Sequence, residues 1–515
     1  MSISNTSYGV DALQNIQVDA SNNTAVGAWA SLNTITGIHN TSLGSNALLK
    51  NVGGNYNVAL GTAALCFNIS GSKNVAVGTN SLEYNTADGN VAVGVQALFT
   101  NTVGANNVAV GTSALLKNTS ATGNTAVGFK ALTSVLENGS NTAVGFQALY
   151  SNTDGFNTSV GAHSLSSNTS GNNNSALGYQ ALFYNTKGVG NVALGCTSLL
   201  TNSIGSYNTA VGFSSLKNNT VDENTAVGYN ALNANTTGIN NTAIGTGALQ
   251  KNTTADGNTA VGYNALNANT TGINNIAVGR HSLSLNTTGE NNAAFGQFAL
   301  RHNDSGKNNL AIGNGSLAAN VDGNDNIAIG HTSLINGTAN SDNISIGSNS
   351  GSHLTNTSNN NIFVGSKSAS NLTGGSNNII VGYNAQATAA TSSNEIVLGT
   401  SAETLKIQGG LNYKRGTNIT GTIGLTAPLS QFYLIEDSGS HYTITLPPPS
   451  PQLNGCVVHF RRYLNAINII TFDTTGQHIV PFNSAAASSS ASLLVSQYST
   501  TFICGLIDWF QMQTM

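Results

Sequence analysis

Nine histidines, twenty carboxylates and four cysteines are the groups in this 515-residue chain that could move protons, hold a metal or act as nucleophiles. Catalysis needs such groups to converge on one point. Six histidines, His39, His163, His281, His302, His331 and His353, fall in the first 400 residues. His163 and His281 occupy equivalent places in the repeat described below, but about 34 Å of coils separates them. Scattered surface histidines are the better reading, and no triad or metal cluster follows. The cysteines form no CxxC pair, which excludes a zinc ribbon or a disulfide framework. Carboxylates gather at Asp88, Asp154, Asp256, Asp304, Asp322, Asp325 and Asp342. The last four could offer oxygen ligands to a hard cation, but Asp-Gly is an ordinary turn pair and solvated turns are preferred. Phe129, Phe146, Tyr179, Phe213, Tyr229, Tyr263 and Tyr383 form an intermittent aromatic column able to stack on sugar rings. Covering turns, or lying at a chain–chain seam, is the simpler role for them. Beyond residue 430 the concentrated recognition-type groups are Arg461, Arg462 and Tyr463, with Trp509 and Phe510, and they define no receptor site. The expectation is a protein without cofactor or catalytic centre.

Composition agrees. Charged residues are 7% of the chain and aromatics 6%, with 76 Asn and 58 Gly. A net charge of −4, with 16 basic residues thinly spread, excludes an electrostatic nucleic-acid binder. No apolar run approaches the roughly 20 residues of a membrane-spanning helix, and MSISNTSYGV does not read as a secretory signal. Low charge does not mean disorder here, because the apolar residues recur at a fixed period.

The period is carried by a glycine ending NTAVG and its variants, from Gly9 and Gly27 to Gly382 and Gly399. There are 24 such glycines and 23 intervals; eighteen intervals are 17 residues, three are 16 and two are 18. NTAVGYNALNANTTGINN occurs identically at 224–241 and 258–275, which marks growth by duplication. All six prolines lie at or after Pro428, as expected if every earlier strand donates its N–H groups to neighbours. The chain divides accordingly into a repeat shaft over 1–400, a transition over 401–430 and a C-terminal domain over 431–515.

Positions are counted from the repeat glycine. Position −4 is Asn in 23 of 24 coils, with Glu395 the exception, and +4 is Leu in 19. Position −3 is Thr, Val or Ile, −2 mostly Ala, and −1 Val, Ile or Leu in almost every coil. Seventeen residues are too few for a strand and a crossover helix but suffice for two short strands and two tight turns. The fold class is therefore all-β: a parallel β-solenoid or β-roll of about 24 coils, near 115 Å long at the interstrand spacing. Val at −1 and Leu at +4 are expected to point inward. Asn at −4, as in Asn224, Asn241 and Asn258, is expected to form a side-chain amide ladder. Gly228, Gly245 and Gly262 are expected to permit a close backbone approach.

In that scheme −2 faces the opposite side from −1, so an Ala stripe would lie in water along the whole shaft. Ala109, Ala126, Ala143, Ala226, Ala243 and Ala260 are therefore expected to form a chain–chain interface. A side-by-side or intertwined homotrimer is the natural closed arrangement. In the last coils −2 becomes Phe363, Ile380 and Val397 while +4 becomes Gly351, Ala369, Gln386 and Glu403, read as a rod flaring into a neck.

NTAVGYNAL, NTAIGTGAL and NIAVGRHSL resemble the head repeats of trimeric autotransporter adhesins, and are similar to arrays in phage and large-virus fibre proteins. The resemblance covers about residues 1–400 and implies a trimeric β-roll. The adhesin heads have somewhat shorter coils, and an autotransporter needs an export signal and a membrane-anchor barrel that are not read here. The hexapeptide acyltransferases, with 18-residue coils, fit less well, since one six-residue unit per coil matches where three are required. Ice-binding solenoids need a two-wide Thr array, and position −3 drifts to Val and Ile. Past residue 430, short strands separated by PPPSP, Asn454-Gly455 and SAAASSSAS suggest a compact antiparallel β-sandwich or jelly roll, similar to the terminal knobs of viral fibres.

The resulting expectation is a structural fibre or spike of a virion, assembled in a host cytoplasm. Its partners would be copies of itself and other virion proteins, or a host-surface glycan or receptor, with no nucleic acid and no membrane insertion. A bacterial surface adhesin is the alternative, and an ice- or polysaccharide-binding solenoid a further one.

Overall fold

A computed structural model describes residues 4–402, except 18, 356 and 357, together with the backbone of eight strands beyond residue 430. The chain forms two compact units, Met1–Leu405 and Lys406–Met515.

The first unit is a parallel β-solenoid. Twenty-four strands of three residues each, from β1 (Thr6–Tyr8) to β24 (Ile396–Leu398), form one 24-stranded sheet in which each strand pairs with its sequence neighbours. The register is one repeat: Thr225–Val227 lies against Thr242–Ile244, with Ala226 opposite Ala243. Among the described residues there is no helix.

Each coil holds one strand where two were expected. The segment around Leu at +4 is a turn, because Leu232, Leu249 and Leu266 have φ of 51°, 50° and 49°, in the left-handed region. That conformation costs a leucine about 1–2 kcal/mol. It persists because the side chain is fully buried and the backbone still bonds up the stack: Leu232 N–H donates to Ala248 C=O at 2.9 Å and Ala234 N–H to Gln250 C=O at 3.1 Å. The hydrogen-bond ladder is thus kept without strand geometry.

The inward face of the strand is also reversed from expectation. Ala109, Ala126, Ala143, Ala226, Ala243 and Ala260 are all 0% exposed within the single chain, where they pack in one core with Leu at +4 and Ala at +3. They cannot form a chain–chain interface. Positions −3 and −1 face outward instead, half-buried or exposed in every strand from the second onward. A three-residue strand turns only its middle side chain inward. With leucine standing on the opposite wall, the space left at −2 suits a methyl group.

The same volume argument corrects the flared neck. Phe363 at −2 is 0% exposed, and a Cβ added at Gly351 would come within 2.8 Å of the Phe363 ring. Large and small residues have exchanged walls, so the core is filled here without widening.

Two columns of buried asparagine line the interior. At −4, the Asn241 side-chain oxygen accepts the Asn258 N–H at 3.0 Å, and the Asn241 amide donates to Ala255 C=O at 2.8 Å. This column joins side chain to backbone in nearly every coil and, in many, amide to amide as expected: Asn241 donates to Asn224 Oδ1 at 3.3 Å and Asn309 to Asn292 Oδ1 at 3.1 Å. A second amide-to-amide ladder lies at +7, where Asn252 donates to Asn235 Oδ1 at 2.9 Å, Asn269 to Asn252 at 2.9 Å and Asn286 to Asn269 at 2.8 Å. Some coils cross-link the two columns, as Asn90 to Asn85 at 3.0 Å. The +7 ladder breaks at Val135, and Asn118 Oδ1 beside the break is buried without a partner.

Gly228, Gly245 and Gly262 have φ of 138°, 130° and 134°. A Cβ on Gly245 would stand 2.6 Å from the Gly262 carbonyl oxygen. Position 0 is thus fixed as glycine by both angle and space.

Beyond residue 430, β25 (Gln431–Ile435), β27 (Val457–Arg462), β31 (Ser499–Cys504), β32 (Trp509–Gln513) and β29 (Ile479–Pro481) form a five-stranded sheet. A second, three-stranded sheet comprises β26 (Tyr442–Thr445), β28 (Ile470–Asp473) and β30 (Ser490–Leu493). Pairing is antiparallel for β27–β31, β28–β30 and β31–β32, and parallel for β25–β27, β26–β28 and β29–β32. β30 begins within the serine-rich stretch that was expected to separate strands. The transition at 401–430 lies almost wholly outside the described residues, as do the side chains of Arg461, Arg462, Trp509 and Phe510.

Two predictions follow from the interior. Gly245→Ala should lower stability by at least about 3 kcal/mol, while Gly315→Ala, whose new Cβ would meet nothing closer than 3.5 Å, should cost only the left-handed conformation, about 1–2 kcal/mol; thermal unfolding midpoints of the two variants decide. Val135→Asn should give Asn118 Oδ1 a donor and add about 1 kcal/mol locally. Hydrogen exchange of the amides around residues 118–152 should then slow by about fivefold.

Candidate functional site

The solenoid presents three kinds of outer surface, each a column pattern repeated once per coil. The first is the outer face of the sheet. No Asp, Glu, Lys or Arg occurs at −3, −2 or −1 in any of the 24 strands. Its outward residues are mostly Val, Ile, Leu and Thr, and many stand well exposed, including Leu43 at 49% and Ile244 at 41%. The apolar stripe that the sequence suggested at −2 therefore exists one residue to either side of it, at −3 and −1.

The second surface is the turn leaving the strand, positions +1 to +6. It carries Lys50, Lys117, Lys130, Lys217, Lys251, Arg280, Arg301 and Lys367, and after Glu83 no Asp or Glu falls in it as far as Gly399. Its aromatic residues stack on one another: Phe129 on Phe146 with centroids 5.4 Å apart and planes 15° apart, and Phe213 on Tyr229 at 5.6 Å and 14°. In each pair one face of each ring is covered by the other, so the aromatic column is partly used in packing against itself. Histidines join the same rows, His163 between Phe146 and Tyr179 and His281 between Tyr263 and Phe298, while His39 stacks on Tyr56 at −5, on the turn entering the strand.

The third surface is the turn entering the strand, where most carboxylates lie. Position −6 holds a column of side-chain acceptors for the preceding coil's backbone. Asp88 accepts from Ser72 N–H at 2.7 Å, Asp222 from Ser206 N–H at 2.7 Å and Asp256 from Ile239 N–H at 2.8 Å. Ser72, Ser206, Asn324 and Ser341 serve the same slot elsewhere. Asp, Asn and Ser are interchangeable there because each places an oxygen at that short reach. Asp304 instead accepts from the Thr287 hydroxyl, and Asp325 from the Asn308 amide at 3.0 Å. Among the described residues no three His, Cys, Asp or Glu side chains converge as a metal site.

Two titrations are displaced near the first coils. Burial, then the Glu83 carboxylate, pushes the Cys66 thiol up to about 11, although Lys50 pulls it back. Burial also raises Glu83. Nearby, Asn33, Ile35, Lys50, Val52, Phe67 and Ile69 line a shallow, largely apolar groove of about 470 Å³. At the last coil, hydrogen bonds from Thr388 hold the Glu395 carboxyl below its ordinary range. There the acidic side chain closes a turn where asparagine would have continued the −4 column.

No family model, curated protein or solved structure matches this chain. Its surfaces must be read on their own chemistry.

The raised thiol pKa predicts sluggish alkylation. At pH 8, iodoacetamide should modify Cys66 about a hundredfold more slowly than an unperturbed thiol, as read by timed mass spectrometry. Because the folded pKa is raised, this group's contribution to stability is complete below about pH 8.5 and is lost as pH climbs through about 11.

Proposed function

We propose that the chain is a structural fibre or spike component whose solenoid packs side by side with further copies through the outer face of its sheet. The observation that carries this reading is the uncharged, apolar-rich strip formed by −3 and −1 along all 24 strands. At about 4.8 Å per coil and about 10 Å across a three-residue strand, the strip offers on the order of 1,100 Å². A stable interface takes about 800 Å² from each partner. Isolated apolar residues on a surface need no explanation, but a continuous strip of this length marks contact. Copies related by rotation about the rod axis bury it best, and a homotrimer is the smallest ring that does so without stacking only two faces.

The function is mechanical. The solenoid sets reach and stiffness, multiple copies supply avidity, and the C-terminal unit, read as a β-sandwich knob, makes the terminal contact. A virion surface is the proposed setting, with a host-surface receptor or other virion proteins as partners. The array of 17-residue coils, the strip and the separate β-rich C-terminal unit support this reading together.

Sedimentation velocity on the full chain tests it. An elongated trimer is expected, and Val227→Lys, Ile244→Lys and Val261→Lys combined should release monomers with an unchanged circular dichroism spectrum. A monomeric wild-type chain would overturn the assembly and favour a solenoid that binds a flat polysaccharide or ice surface with the same Thr- and Val-bearing face.

A further inference from the structure

The solenoid contains two arginines, and both converge on one ring. Arg301 holds its guanidinium 5.2 Å from the centroid of Phe298, and Arg280, one coil away, holds its own at 5.8 Å. Phe298 is itself stacked on His281 at 5.8 Å with planes 13° apart, and His281 meets Tyr263 edge to face at 5.2 Å. We propose that this cluster is a binding site for an acidic saccharide, whose carboxylate or sulfate group is held between Arg280 and Arg301.

The first argument is electrostatic. Arg280 and Arg301 are both exposed, and neither has a carboxylate partner among the described residues, where the one salt bridge is Lys307–Glu290 at 3.3 Å. The surface they stand on is the turn leaving the strand, which carries no Asp or Glu from Glu83 to Gly399. A guanidinium held over an aromatic ring keeps N–H donors available and loses less freedom on binding than a free one. Its planar fork fits the paired oxygens of a carboxylate or sulfate. Burial followed by the charges of Arg280 and Arg301 lowers the pKa of His281, which agrees with all three groups sharing one small space.

The second argument is the polar surround. In successive coils the +1 column reads Tyr263, Arg280, Gln297 and Asn314, a row of hydroxyl, guanidinium and two carboxamides at about 4.8 Å spacing. Gln297 and Asn314 are themselves joined by a 3.2 Å bond. Amides and a phenol offer donors and acceptors side by side, which suits the vicinal hydroxyls of a sugar. The ring row ends at both sides where Gly247 and Gly315 replace a side chain at +2, so the seat is about three coils long and takes a short oligosaccharide segment. A long nucleic acid fits poorly, since Glu290, Asp304, Asp322 and Asp325 lie in the same coils on the other turn. The site stands whether or not the chain assembles through its sheet face.

The test is titration calorimetry of the full chain with three probes: a sulfated heparin oligosaccharide, an unsulfated oligogalacturonate and a neutral dextran oligosaccharide. Saturable binding of at least one acidic probe, and none of dextran, is expected; which acidic probe binds separates sulfate from carboxylate recognition. Arg280→Gln with Arg301→Gln should weaken that binding by at least about tenfold, while Lys117→Gln with Lys130→Gln, on the same surface nine coils away, should leave it unchanged. Arg280→Lys with Arg301→Lys should fall between, because charge is kept and the fork is lost. Absence of binding to both acidic probes would overturn the proposal. So would binding indifferent to the arginine substitutions, or equal affinity for a single-stranded oligonucleotide, which would mark simple polyanion attraction.

Discussion

In a solenoid of this regularity every interior residue faces a near copy of itself one coil away, and that constraint governs which side chains can be inside. A buried polar group is tolerated only if it can both donate to one copy and accept from the next, because an unpaired one costs about 1–3 kcal/mol. Asparagine meets the requirement, having an acceptor and two donors on one short amide. The two columns use it differently. At −4 the amide stitches backbone to backbone, as in Asn241 between the Asn258 N–H and the Ala255 carbonyl, and in many coils it also reaches the neighbouring amide. At +7 it stitches amide to amide, as from Asn269 to Asn252. Aspartate could accept but not donate, and would place like charges about 4.8 Å apart. That is why carboxylates appear at −6, on the surface, where accepting one backbone N–H is the whole task.

The same self-facing rule sets the apolar core. Ala at −2 and Leu at +4 fill a fixed gap between two walls, and the pair may be exchanged but not enlarged. Phe363 opposite Gly351 shows the exchange. Serine enters the core where it can bond its counterpart: Ser42 with Ser31 at 2.8 Å, and Ser345 with Ser350 at 2.7 Å. Glycine at position 0 has the narrowest tolerance, since its neighbour's carbonyl oxygen occupies the place of its missing side chain.

Function is left to whatever points outward. Outer columns need not satisfy copies of themselves, so they vary: apolar at −3 and −1, basic and aromatic on one turn, acidic or hydroxylic on the other. A feature confined to two coils, such as the arginine pair at 280 and 301 over Phe298, interrupts the pattern of the shaft and is where the saccharide proposal rests.

Much of this was legible in the residues alone. The 17-residue period, the number of coils, the parallel stack, the demand for Asn at −4 and Gly at 0, and the proline boundary all follow from spacing and from what each residue type can do. The eight C-terminal strands were also legible as short apolar runs between turn signals, although the boundary of β30 was not. What the spacing could not decide was which of two adjacent apolar columns lies inside. Ala226 and Val227 are both apolar, and moving the inward position by one residue flips every side chain of the strand. The choice is made by the opposite wall, where leucines in a left-handed conformation approach closely enough to admit only a small residue. No local preference announces that conformation, because a leucine adopts it only when coils above and below hold its backbone in place. The second asparagine ladder was hidden for the same reason: a polar cluster in a turn reads as solvent-facing until the fold turns it inward.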